Sequence, residues 1–238
     1  MIRSTTEHAT CGTILWLTGW SMPAAIFSGL QARLPGFQHV KADYTAVHTA
    51  EEMLALTENA ARNNKGALIA GWSLGALLAL RLAANGLAGG LLLISGTAGF
   101  IRPHGVWPDL HVRQMMTSIM QNRHAVETKF RKLLFTDSER KAGMEELLPQ
   151  TGSWTTSALI AGLNVLRSEE YLSRLNQIKC PVLLIHGVED TVCPYGAVKE
   201  LSVKLSQAAL VTLEESGHVP FLGKEEAVAT AVRRWWNA

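Results

Sequence analysis

Six short apolar runs separated by stretches of helical character constrain this chain more than any other feature. They are GTILWL at 12–17, HVKADY at 39–44, ALIAG at 67–71, GLLLIS at 90–95, VLLIHG at 182–187 and ALVTLE at 209–214. Strand candidates that alternate with helices predict a mainly parallel sheet covered on both faces. Between the second and third runs, TAEEMLALTENAARNN offers Thr49 and Glu52 as a capping box and Met53, Leu56 and Ala60 as a sheet-facing stripe. The closing KEEAVATAVRRWWNA offers Val228, Val232 and Trp235 as a second stripe.

The alternation stops after Ser95 and resumes at QIKCPVLLIHG, and the stretch between is helical and more basic. Its apolar positions are scattered and its ends return to the same sheet pattern. This predicts a helical cap at 99–175 inserted between two parts of one core, 1–98 and 176–238, over the carboxyl ends of the strands. With 238 residues, 47% hydrophobic and 18% charged, the chain has the material for one large core and an insertion.

Charge and cysteine content narrow the function classes. The net charge is +2, from 22 Lys and Arg against 20 Asp and Glu, which leaves no footprint for nucleic acid. Cys11, Cys180 and Cys193 cannot make a full disulfide framework, and none stands in a close metal-type pair. The start, MIRSTTEHATCG, lacks the apolar stretch of a signal peptide, and no segment has about 18 consecutive apolar residues for a membrane span. The expectation is a soluble cytoplasmic protein with reduced thiols.

Ser73 raises the chemical question. Ala67 to Ala70 form the end of an apolar run, Leu74, Leu77, Leu78 and Arg81 recur at helical spacing, and Gly71 and Gly75 flank the serine at minus two and plus two. A strand, sharp turn and helix can expose a serine hydroxyl, while the glycines admit close backbone approach and the helix-end amides face a developing negative charge. A structural turn is the alternative. The hydroxyl also needs a base and a group to orient that base. His218 follows the last strand candidate in EESGHVPF, and Asp190 follows the fifth in HGVEDTVCP, with Glu189 as the competing acid. His186 reads as a core or supporting residue. The order Ser73, Asp190, His218 is that of α/β-hydrolases.

Oxyanion stabilisation requires backbone donors. The N–H of Leu74 is one candidate, and that of Trp20 in LTGWSM is the other, because Gly19 permits a close turn; the Trp20 indole is placed to line the pocket. His104 and His111 suggest a metal pair but lack a third and fourth ligand, so neither metal nor other cofactor is expected.

LTGWSM at 17–22, GWSLGALLAL at 71–80, LNQIKCPVLLIHGVEDTVCP at 175–194 and ESGHVPF at 215–221 together resemble the pimeloyl-acyl-carrier-protein methyl ester esterases of biotin synthesis, within the α/β-hydrolases. The resemblance implies a triad of Ser73, Asp190 and His218, oxyanion amides at Trp20 and Leu74, and Phe130 in VETKFRKLLF as an acyl-pocket residue. It implies hydrolysis of the methyl ester of a pimeloyl chain carried on acyl-carrier protein, releasing methanol. Thr18 replaces the histidine often found before the oxyanion-loop glycine, and Ala76 replaces a frequent second glycine after the elbow. Neither change removes a proposed catalytic atom.

The insertion carries seven Lys and Arg against three Asp and Glu between 113 and 141. A basic face beside an acyl tunnel suits an acidic carrier protein. Arg131 and Lys132 are the docking candidates, because FRKLLF can bury Phe130 and Leu133 while projecting the charges outward. A small-molecule carboxylesterase or thioesterase is the competing enzyme reading, with a small acyl ester as substrate. A catalytically silent binding protein of the same fold is the competing reading from another class.

Overall fold

The computed structural model describes residues 12–101 and 107–237. Six parallel strands form one sheet: β1 (Thr13–Leu17), β2 (Gln38–Lys41), β3 (Leu68–Trp72), β4 (Gly90–Ile94), β5 (Val182–Gly187) and β6 (Ala208–Leu213), in the order β2-β1-β3-β4-β5-β6. Each matches an apolar run of the sequence to within a few residues. β3, β4 and β5 are buried along their whole length, whereas the edge strands β2 and β6 are partly exposed. Burial on both faces explains why the central runs are almost continuously apolar.

β2 is shorter than HVKADY implies. Asp43 turns the chain by accepting from the N–H of Thr45 at 3.1 Å, and Tyr44 leaves the edge to bury its ring and donate its hydroxyl to the Thr18 carbonyl at 2.6 Å.

The helices around the sheet are α1 (Ser28–Ala32), α2 (Ala50–Asn63), α3 (Leu74–Ala84), α4 (Asp109–Leu133), α5 (Asp137–Lys141), α6 (Thr156–Ser168), α7 (Tyr195–Lys204) and α8 (Glu225–Trp236). In α2 Met53 is buried as predicted, but the fully buried stripe continues through Thr57 and Ala61, each one position on from Leu56 and Ala60, which are partly buried. Thr57 tolerates burial because its hydroxyl returns to the carbonyls of Met53 and Leu54 at 3.1 and 3.0 Å. Thr49 caps the helix as expected, but Glu52 reaches the N–H of His48 rather than that of Thr49. Val228 and Val232 of α8 are buried, and Trp235 is partly so.

The chain leaves the sheet after β4 and returns before β5. A lone antiparallel bridge between Gly99 and Glu170, and a 2.7 Å bond from the Tyr171 N–H to the Ala98 carbonyl, close the base of that excursion. α4 is broken at Asn122, whose φ and ψ of −153° and 80° divide it into two arms. α6 packs against α2, α3 and α4, and buries seven of its residues.

Strand order reverses at β1, whose neighbours β2 and β3 follow it in sequence on opposite sides. Leu17 pairs with Gly71, so the loop after β1 and the turn after β3 emerge side by side at the carboxyl edge of the sheet. Ligands of open α/β sheets bind at such reversals.

Candidate active site

Ser73 alone turns the chain from β3 into α3. Its φ and ψ are 56° and −116°, a region costing about 1–3 kcal/mol for a residue with a side chain. Its N–H donates to the Ile94 carbonyl at 3.0 Å, and its carbonyl accepts from the N–H of Ala76 at 2.9 Å and of Leu77 at 3.3 Å, which holds the turn. The flanking glycines are there for clearance. A Cβ on Gly71 would overlap the Gly75 carbonyl, and a Cβ on Gly75 would overlap the Leu17 carbonyl. The side chains missing around Ser73 are therefore those that would drive the elbow off β1.

The structure brings Ser73, His218 and Asp190 together in one hydrogen-bonded line. His218 Nε2 lies 2.8 Å from Ser73 Oγ, and His218 Nδ1 lies 2.8 Å from Asp190 Oδ2. The Asp190 carboxylate sets the polarity of the line: Nδ1 donates to it, so Nε2 is the ring nitrogen left to take the serine proton. The backbone N–H groups of Val192 and Cys193 fix Asp190 Oδ1 at 2.9 and 2.8 Å. Burial pushes the Asp190 carboxyl up, but the charge of His218, with hydrogen bonds from His186 and His218, outweighs that and holds it well below the usual carboxylate range. Glu189 is exposed, and its own N–H donates to the Ser216 carbonyl at 3.0 Å.

His186 is buried as a supporting residue. Its Nε2 meets the Cys193 carbonyl at 2.7 Å and Asp190 Oδ2 at 3.3 Å. His39 is held between the Trp16 indole and the Leu34 carbonyl. His104 and Cys11 lie outside the described residues.

Among the described residues neither the Leu74 nor the Trp20 backbone N–H has an acceptor. Leu74 is the first residue of α3, where helix geometry leaves the N–H free. Gly19 serves Trp72 more than the turn: a Cβ there would sit 2.7 Å from the Trp72 ring, whose Nε1 donates to the His218 carbonyl at 2.7 Å. Thr18 closes the loop, its hydroxyl donating to the Met22 carbonyl at 3.1 Å. The buried Trp20 indole donates to the Leu159 carbonyl at 2.8 Å and meets Phe130 edge-on at 5.0 Å.

Trp20, Phe130, Phe100, Met115, Leu163 and Val192 wall an apolar recess of about 20 Å³ at Ser73. A cleft of about 460 Å³ adjoins it through Trp107, Met115 and Phe130 and opens between the two arms of α4, with His111, Gln114 and Lys129 toward solvent. Water-sized groups need about 10–15 Å³, so the recess admits a small group and the cleft a chain.

The basic face differs from expectation. Arg131 turns inward, giving Nη2 to the Pro149 carbonyl at 2.8 Å, and burial pushes its guanidinium down from its ordinary value against the opposing charges of Glu145 and Glu127. Leu133 is 38% exposed, and Leu134 takes the buried place assigned to it. Arg113, Arg123 and Arg140 are likewise engaged, by Asp109, Glu127 and Asp137. Lys129, Lys132 and Lys141 are exposed and have no ion pair among the described residues. The planar guanidinium serves several carbonyls and carboxylates at once, so the arginines are absorbed by the insertion's own structure.

Several residues not singled out in the sequence hold the site. The Leu134 carbonyl accepts the His218 N–H at 2.8 Å, and Glu139 Oε2 accepts the Gly217 N–H at 3.1 Å. Trp154 Nε1 donates to the Met22 carbonyl at 3.0 Å, and Glu127 accepts from Ser21. Only Thr136 and Glu139 carry a local signal, the spacing of the capping box they form.

Known proteins resemble this chain in sequence and in fold. The chain is 32% identical to a pimeloyl-acyl-carrier-protein methyl ester esterase of Nitrosomonas europaea, over 90% of this chain and 91% of that one. It is 26% identical to a protein of the same name from Aromatoleum aromaticum, over 92% and 96%. An esterase from Exiguobacterium antarcticum superposes with a TM-score of 0.79 at 20% identity, covering 97% of this chain and 93% of that one. The alpha/beta hydrolase family matches residues 15–231, and the chain belongs to that family.

Proposed function

We propose that the protein hydrolyses the methyl ester of a pimeloyl chain carried on acyl-carrier protein, as the names of its relatives say of them. The observation that carries the reading is the recess and cleft around Ser73: room for a small alcohol at the hydroxyl, and an apolar passage between the arms of α4 for a long acyl chain.

In this reading Ser73 Oγ attacks the ester carbonyl carbon as His218 Nε2 takes its proton. Asp190 holds the ring in the required tautomer and stabilises the imidazolium. The carbonyl oxygen gains the electron pair and is met by the N–H groups of Leu74 and Trp20; loss of one such donor typically costs about 2.7–4 kcal/mol of transition-state stabilisation. The tetrahedral adduct expels the alkoxide, which leaves as methanol with the proton from His218. Water, giving a proton to the same ring, then attacks the acyl carbon, and that proton passes from His218 to Ser73 Oγ as the acid is released. Residues 99–175 act as the cap that screens this chemistry from solvent, with Phe130 against the acyl chain.

Docking of an acidic carrier is assigned to Lys132, with Lys129 and Lys141. No helix among the described residues is long and apolar enough to cross a membrane. The test is kcat/KM for pimeloyl-carrier methyl ester against a short free methyl ester. The expected result is a carrier preference that shrinks with salt and with Lys132→Glu, as screening of complementary charges requires. Equal rates on both substrates at every salt concentration would support a small-molecule carboxylesterase instead.

A further inference from the structure

Glu127 is 2% exposed and lies on the second arm of α4, one turn before Phe130. Its Oε1 accepts the hydroxyl proton of Ser21 at 2.6 Å, and its Oε2 accepts from Arg123 Nε at 2.7 Å. Ser21 follows Trp20, the second oxyanion donor in the proposed reaction. It has a φ of 62°, a left-handed conformation that a residue with a Cβ adopts at a cost. Arg123 Nη2 is buried without an acceptor among the described residues, so the pair is an imperfect one. An ion pair with a buried carboxylate is a weak way to stabilise a helix seam, because desolvation of Glu127 offsets its attraction to the partly exposed Arg123. Stability alone therefore gives little account of a carboxylate here. A short charge-assisted bond to a strained hydroxyl does give an account, since it fixes a loop conformation that the backbone disfavours.

We infer that Glu127 is a positioning residue for the oxyanion hole: through the Ser21 hydroxyl it holds the loop after β1 in the conformation that presents the Trp20 N–H to the reacting carbonyl. The inference rests on the esterase reading. It also ties the oxyanion donor to the helix arm that lines the acyl cleft, because Glu127 and Phe130 share that arm.

The test compares two inhibitors. A short alkyl trifluoromethyl ketone accepts the Ser73 oxygen at its carbonyl carbon; the carbonyl pair becomes an oxyanion and the serine proton passes to His218. The matching secondary alcohol fills the same space and cannot be attacked. Ser21→Ala and Glu127→Ala are expected to raise Ki for the ketone and lower kcat for p-nitrophenyl butyrate in parallel, by about 10- to 100-fold, with KM and the alcohol Ki near wild type. Glu127→Gln, whose amide oxygen still accepts from Ser21, should recover most of the loss, and the double alanine variant should be no worse than either single one. If Glu127→Ala fails to fold because Arg123 is left unpaired, Ser21→Ala carries the test by itself. Folded variants with wild-type ketone Ki, or ketone and alcohol Ki rising together, would overturn the positioning role. A wild-type protein that binds the ketone no better than the alcohol would overturn the esterase reading, and this role with it.

Discussion

The elbow at Ser73 and the seam between the insertion and the loop after β1 both hold reactive geometry, by opposite means. The elbow is specified by what is missing: Gly71 and Gly75 stand where backbone meets backbone. The seam is specified by what is present. Trp20 to Leu159, Ser21 to Glu127 and Trp154 to Met22 are hydrogen bonds between residues 139, 106 and 132 positions apart. α6 comes close enough to make the first because Gly162 admits it; a Cβ there would lie 2.9 Å from the Trp20 ring and 3.1 Å from the Leu74 side chain. Steric exclusion leaves glycines at fixed places within five residues of sequence, a pattern that can be read even where the excluding backbone, Leu17 for Gly75, is far along the chain. Partnership across a hundred residues leaves no such pattern.

The comparison can be broken in a graded way. The largest effect is expected on the chemical line itself: Asp190→Asn should lower kcat by about 10⁴-fold while leaving KM for a short ester nearly unchanged, because the amide can select the wrong His218 tautomer. A steady-state rate near wild type would move the acid elsewhere, with Glu189 as the next candidate. Gly75→Ala should come next, with lower stability and activity together, because the new methyl meets the rigid Leu17 backbone; thermal unfolding and ester turnover should both register it.

Acid tests the same line through stability. The Asp190 carboxyl is held below its ordinary range in the fold, so its contribution is complete above the unfolded value near 3.8 and is lost as pH falls from there through the folded value. Asp190→Asn should therefore flatten the stability profile below about pH 4. Parallel profiles of the wild type and variant would contradict the assignment.

Smaller effects should mark the insertion. Arg131→Ala removes the bond to the Pro149 carbonyl and should cost about 1–2 kcal/mol in chemical denaturation. Its carrier preference should change less than that of Lys132→Glu, since Arg131 faces inward. The reverse ranking would restore Arg131 to the docking face. Smallest is Asp109→Asn. Arg167 and then Arg113 hydrogen-bond this carboxyl and hold it at about 2, joining α4 to α6 at the surface. Its stabilisation is present above about 3.8 and fades toward pH 2, so a slight loss of thermal stability at neutral pH and almost none near pH 2 is expected.

How much was legible follows the same division. The central strands could be read because strands buried on both faces must be apolar throughout, and the partly exposed edge strands β2 and β6 because their runs keep the alternation with helices. The meeting of Ser73, Asp190 and His218 could be read because each follows a strand, and the carboxyl ends of parallel strands share one edge. The α2 stripe was displaced because Thr57 hides its hydroxyl inside its own helix, a device invisible to a polarity pattern. The break at Asn122 and the inward turn of Arg131 were not legible either. Both depend on what the helix packs against, and Arg131 finds its acceptor 18 positions away.

The central claim is that Ser73 forms a covalent acyl intermediate. Rapid quenching during turnover of p-nitrophenyl butyrate, followed by peptide mass analysis, should place the acyl mass on the peptide containing Ser73. Ser73→Ala, with its fold retained, should lack the adduct and lose kcat by about 10⁶-fold. A folded Ser73→Ala that hydrolyses the ester at the wild-type rate, or an acyl group found on another residue, would contradict the account.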